Sequence, residues 1–151
     1  MARIVSLAVA LCMTLTPLAA VAAGQATADE AKAMAEKAAD YLKSVGPAKA
    51  FAEFDAKDGP WHDRDLYVMV ENNQNIMVAH GANPGLIGKN VADLKDPDGK
   101  AISPEIQAIA ESGWVTFRWL NPLTKAMEPK TSYWVRTGDY IVGVGAYVSA
   151  R

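Results

Sequence analysis

Six residues of types suited to holding a small anion recur through the sequence: Arg64, Tyr67, His80, Trp119, Lys130 and Tyr133. Arginine, lysine and a protonated histidine can make charge-assisted hydrogen bonds to a carboxylate, while tyrosine and tryptophan rings cover its apolar remainder. Other chemistries find less to work with. The two histidines, His62 and His80, and the single Cys12 form no cluster at zinc or copper spacing. Aligning Gly99 with the invariant glycine of a calcium loop places Asp96, Asp98 and Glu105 at oxygen-ligand positions. That alignment puts Leu94 at the first ligand position, and a type I turn accounts for the same residues. No serine sits in a Gly-x-Ser-x-Gly elbow, and Gly143-Val144-Gly145 lacks the third glycine and the helix of a dinucleotide loop. No acid–base pair is marked out, so neither a catalytic residue nor a cofactor or metal is expected.

The elements that must position these side chains are legible from periodicity. Thr27-Ala28-Asp29-Glu30 has the spacing of a capping box. Apolar residues then recur at helical spacing from Ala31 to Val45, with Gly46-Pro47 as the stop, which predicts a helix over 28–45 and a short second helix over 47–54. Beyond Asp55 the period changes to two, predicting five strands over 66–71, 76–80, 114–120, 131–136 and 140–148. The first pair is joined by Asn72-Asn73-Gln74-Asn75, where asparagine tolerates the left-handed backbone of a tight turn. The last three, linked by short polar turns, read as an antiparallel meander.

Between the two groups lies an insert over residues 81–113, with a short helix that Ser103 should cap and Pro104 should open. An excursion of that length within a compact domain is usually functional. Gly143 and Gly145 are expected to let another element, such as the long first helix, approach the sheet closely. The result is an α+β fold with one antiparallel five-stranded sheet, a long N-terminal helix, and a loop-helix insert over the sheet.

The start of the chain reads as an address. Arg3, the apolar run from Ile4 to Leu18 and the small residues 19–23 have the form of a secretory leader with cleavage near Ala23, leaving 24–151 as one domain without cysteine. Fifteen basic residues against 17 acidic ones, with no basic stripe, argue against nucleic acid as a partner. No second long apolar segment is present, so no membrane anchor is expected once the leader is removed.

The series Asp63-Arg64-Asp65-Leu66-Tyr67-Val68, Ala79-His80-Gly81-Ala82-Asn83-Pro84, Leu86-Ile87-Gly88-Lys89-Asn90, Asp96-Pro97-Asp98-Gly99-Lys100, Gly113-Trp114-Val115, Pro129-Lys130-Thr131-Ser132-Tyr133 and Gly143-Val144-Gly145-Ala146-Tyr147 resembles the single Cache domains of bacterial extracellular sensing. The resemblance spans nearly all of residues 24–151. It implies a PAS-like sheet with a ligand pocket closed by the insert, a small organic ligand such as a short carboxylate, and Arg64, Tyr67, His80, Lys130 and Tyr133 at pocket positions. Asp65-Leu66-Tyr67 stands where the family often reads Asp-Gly-Tyr, and Asn72 to Asn75 where it often turns on Asp-x-x-Gly. Sensors of this family run on from the last strand into a membrane helix, whereas the sequence ends at Arg151. The expectation is therefore a periplasmic binding domain acting through a membrane receptor or kinase partner. The alternative is an interaction module of the cell envelope with a vestigial pocket, using the alanine-rich first helix for homodimer formation.

Overall fold

The computed structural model describes residues 24–148, so the leader expected over 1–23 lies outside the described residues. Helix α1 (Ala28–Val45) begins on the capping box: Glu30 N–H donates to Thr27 Oγ1 at 3.2 Å, and Thr27 N–H donates to Glu30 Oε2 at 2.7 Å. Its buried stripe is Ala31, Ala35, Ala38, Ala39 and Leu42, and the small side chains let it lie close against its own sheet. The stripe is thereby occupied within the chain, and the outward face carries Lys32–Glu36 and Asp40–Lys43 ion pairs instead of an apolar seam. Helix α2 (Pro47–Asp55) pins its Phe54 against Trp61 and Tyr41. Thr27→Ala should lower stability by about 1 kcal/mol, the usual worth of a hydroxyl cap, read as a shift in urea midpoint at unchanged slope.

Six strands follow: β1 (His62–Asp63), β2 (Leu66–Asn72), β3 (Met77–His80), β4 (Ser112–Leu120), β5 (Met127–Thr137) and β6 (Tyr140–Tyr147). The five expected strands are all present, and the two-residue β1 is added where Arg64, at φ 56°, turns the chain into β2. All pairings are antiparallel in the order β1-β2-β6-β5-β4, with β3 beside β2 along the same edge as β1. Asn75 takes the left-handed conformation at φ 58°, and Asn72 Oδ1 accepts from Gln74 N–H and Ile76 N–H, which closes the first hairpin as its asparagines imply. No helix among the described residues is long and apolar enough to cross a membrane.

Strand alternation divides the core in two. Leu66, Val68, Val70, Val142, Val144 and Ala146 face α1 and α2, whereas Tyr67, Met69, Trp134, Ile141 and Tyr147 face the insert. The insert contains a short 3-10 turn (Pro84–Leu86) and helix α3 (Ser103–Gln107). Ser103 is not the cap expected of it; Ile102 occupies that position, and the Ser103 hydroxyl donates to Glu71 on β2 at 2.7 Å. The 96–99 turn closes through Gly99 N–H to Asp96 O at 3.0 Å. The Asp96 carboxylate accepts from Asp98, Lys100 and Arg118 N–H groups, so backbone donors occupy the oxygens that a cation would need. Gly143 and Gly145 also depart from expectation. They lie on the insert face, and a Cβ there would strike the Trp134 ring or Ser132 Oγ and Lys130, so they make room for β5 side chains and not for α1.

Candidate functional site

Lys130 is the most unusual side chain of the insert face. Its register partner across the β5–β6 ladder is Tyr147. The amine is completely buried, 3.8 Å from the centre of the Tyr67 ring and 5.1 Å from that of Tyr147. Its one hydrogen-bond contact is the weak acceptor Met69 Sδ at 3.7 Å, and it makes no ion pair among the described residues. Burial pushes its pKa well below the ordinary 10.5, and the negative charge of Asp65 opposes that only in part. Asp65, itself buried, is engaged elsewhere, accepting from Ala26 N–H at 2.7 Å and Tyr147 N–H at 3.5 Å. A cation held in an apolar surround without a carboxylate is expensive, and an incoming anion would relieve that cost.

His80 stands beside it, its ring stacked on Tyr67 at 5.1 Å between centroids. Its Nδ1 accepts from Asn83 N–H at 2.9 Å and Ala82 N–H at 3.3 Å, and Asp55 accepts from its backbone N–H at 2.8 Å. An Nδ1 used twice as an acceptor leaves the proton on Nε2. Burial first, and the neighbouring Lys130 charge second, hold its pKa down to about 3. His80 is therefore a neutral Nε2–H donor at neutral pH, which corrects the expectation of a protonated imidazole.

Tyr147 O–H donates to Leu120 O at 2.7 Å, so the 3.0 Å contact between the two phenols is Tyr67 O–H donating to Tyr147. Burial pushes both phenols upward, and both stay protonated.

Two cavities meet at this point. An outer one of about 390 Å3 is lined by Tyr67, His80, Asn83, Trp119 and Leu120. An inner cleft, with only about 20 Å3 of free space, continues past His80 and Trp119 to Met69, Met77, Trp134 and Glu71 under the lid residues Leu86, Leu94, Ile102 and Ile106. The structure thus brings Tyr67, His80 and Trp119 to the cavity walls, while Lys130 lines neither of these cavities and is buried against the Tyr67 ring and Met69. Two expected residues fall elsewhere.

Arg64 is on the outer surface, donating to Glu30 at 2.8 Å and Asp63 at 2.7 Å, where it ties the β1–β2 turn to the start of α1 and lines a side cavity of about 230 Å3. Tyr133 faces α1, its hydroxyl donating to Ser112 at 2.8 Å and its ring against Trp114. Alternation explains the second displacement: residues three apart on a strand, such as 130 and 133, cannot share a face.

Sequence reasoning missed Tyr147, Met69, Trp134, Ser132 and Glu71. The first follows from pairing across the ladder, and Ser132 and Trp134 from period-two spacing to Lys130. Ser132 Oγ and Trp134 Nε1 are both buried without a hydrogen-bond partner among the described residues, which adds two unsatisfied polar atoms on the insert face.

Comparison with known proteins bears on this geometry. The model of the family described as single Cache domain 2 matches residues 6–150. The methyl-accepting chemotaxis protein McpP of Pseudomonas putida is 34% identical over 92 residues, covering 58% of this chain and 17% of that protein; the chain thus spans well under a fifth of this curated relative. Among solved structures, a methyl-accepting chemotaxis protein from Vibrio parahaemolyticus superposes with a TM-score of 0.69 at 26% identity, covering 80% of this chain and 88% of the other. A Cache chemosensory domain, described for its carboxylic acid recognition, superposes with a TM-score of 0.67 at 25% identity, covering 80% of this chain and 92% of the other.

Proposed function

The chain belongs to the single Cache domain family of sensory ligand-binding domains, and from that premise we propose that it is an exported, periplasmic sensor that binds a short organic carboxylate and passes its occupancy to a membrane receptor or kinase partner. The observation that carries this reading is the Lys130 amine, wholly buried between Tyr67 and Tyr147 without an ion-pair partner among the described residues. The carboxylate would meet Lys130 Nζ and His80 Nε2–H, with the Tyr67 and Trp119 rings against its apolar part. Carboxylic acid recognition by a structurally similar Cache domain supports the choice of ligand.

Binding requires movement on the insert face. Met69 Sδ now sits against Nζ, and an unbranched thioether can swing aside at small cost. The lid residues of the insert would then pack over the ligand. A state of this kind, favoured by its extra contacts, is a population shift and involves no chemistry on the ligand. The partner would read the closed lid.

Thermal unfolding against a panel of two- to six-carbon carboxylates, amino acids and amines tests the reading. A ligand at a hundred times its Kd should add about 2.7 kcal/mol and raise the midpoint by roughly 5–15 °C. The same ligand should slow hydrogen exchange across residues 80–100. The narrow inner cleft favours one competing reading, an envelope interaction module with a collapsed pocket. Uniform silence of folded, ligand-stripped protein across the panel would support that module instead.

A further inference from the structure

The insert face also holds a buried carboxyl group that carboxylate binding at Lys130 leaves unused. Glu71 lies on β2, on the same face as Tyr67 and Met69, and is only 2% exposed. Its Oε2 accepts from Ser103 Oγ at 2.7 Å and Gln107 Nε2 at 3.1 Å, both on α3. Its Oε1 accepts from no donor among the described residues, and the side chain lines the inner cleft. Two donors on one oxygen and none on the other leave a fixed acceptor at the far end of that cleft.

Register gives the separation. His80 pairs with Met69, and Met77 with Glu71, so the carboxylate lies two residues further along β2, roughly 7 Å from the level of the imidazole. The walls between them are Met69 and Met77, side chains able to repack around a bound chain. From this we infer that Glu71 reads the end of the ligand remote from its carboxylate, selecting short carboxylates that carry an ammonium or hydroxyl there and rejecting dicarboxylates. The inference rests on the carboxylate reading of the Lys130 site.

An alkyl tail would leave Oε1 desolvated with no donor, whereas a hydroxyl or ammonium would supply one. A second carboxylate would bring like charge against Glu71 where little water screens it. Burial pushes the Glu71 carboxyl upward against the Ser103 and Gln107 bonds, and a ligand ammonium would favour its ionised form.

Four acids of equal chain length separate the possibilities: butyrate, 4-hydroxybutyrate, 4-aminobutyrate and succinate, titrated calorimetrically into the full chain and into its Glu71→Gln variant. In the unmodified protein the hydroxy and amino acids should bind roughly ten- to a hundredfold tighter than butyrate, and succinate weakest. In Glu71→Gln the amino acid should lose its advantage and succinate should gain about tenfold. Should the variant unfold early, the order across the four acids in the unmodified protein decides alone. Butyrate binding as tightly as the other three, with the order unchanged in Glu71→Gln, would overturn the role of Glu71 while leaving the Lys130 site standing. Binding of none of the four would overturn the carboxylate site as well.

Discussion

Lys130→Met should abolish carboxylate binding and leave the fold intact. Removing the cation strands the ligand carboxylate in a desolvated pocket, at a cost of about 2–5 kcal/mol, or roughly thirtyfold to several thousandfold in Kd. Methionine keeps a long unbranched stem between the Tyr67 and Tyr147 rings and next to Met69. Because the amine is buried without an ion-pair partner among the described residues, its replacement by an apolar group should be neutral or stabilising. Calorimetry with the acid that gives the largest thermal shift, beside a thermal scan of both proteins, reads the two effects. An affinity unchanged by the substitution would remove Lys130 from the site.

The same lysine dictates a pH dependence. Its folded pKa lies well below the ordinary 10.5. Between those two values the unfolded chain binds a proton that the folded one does not, so stability rises with pH across that window. Below the folded value both states are protonated and the penalty of burying the charge is fully present. The stability advantage of Lys130→Met over the unmodified protein should therefore shrink as pH climbs toward 10.5. Ligand binding runs the other way. A carboxylate against Nζ raises the lysine pKa, so binding at a pH between the unliganded and liganded values should take up a proton, seen as a calorimetric enthalpy that changes with the ionisation enthalpy of the buffer.

Most of the architecture could be read from short-range chemistry. The capping box, the Gly46-Pro47 stop and the switch to period two each act within a few residues, and α1, α2 and the five principal strands follow from them. The site was less legible because it is assembled across strands. Tyr147 reaches Lys130 only through the β5–β6 register, and Glu71 meets Ser103 across 32 positions of sequence. The neutral state of His80 depends on N–H groups of the turn that follows it, whose direction no spacing rule gives. One misplacement was avoidable in principle: Lys130 and Tyr133 differ by three, and a period of two assigns them to opposite faces, whereas Arg64 sits in the β1–β2 turn at φ 56°, where strand alternation does not apply.

Gly143→Ala should be among the most damaging small substitutions in the sheet. On β6, Gly143 pairs with Trp134 of β5, and the indole lies flat over the glycine. An added Cβ would come within 2.5 Å of Trp134 Cδ2 and 2.6 Å of Cζ3, closer than carbon atoms tolerate. The contact cannot be relieved cheaply, because the ring is fully buried among the insert-face residues and backbone lies beneath it. Overpacking of this kind costs about 1–3 kcal/mol, and the midpoint should fall by roughly 4–12 °C. Since Trp134 also walls the inner cleft, its displacement should weaken carboxylate binding along with stability. The matched control is Gly138→Ala, where a Cβ meets nothing within 4 Å but the backbone is left-handed at φ 57°. That change should cost stability through backbone strain alone and leave affinity untouched. Equal losses of affinity in the two variants would show that Gly143 acts through global stability and not through the position of the indole.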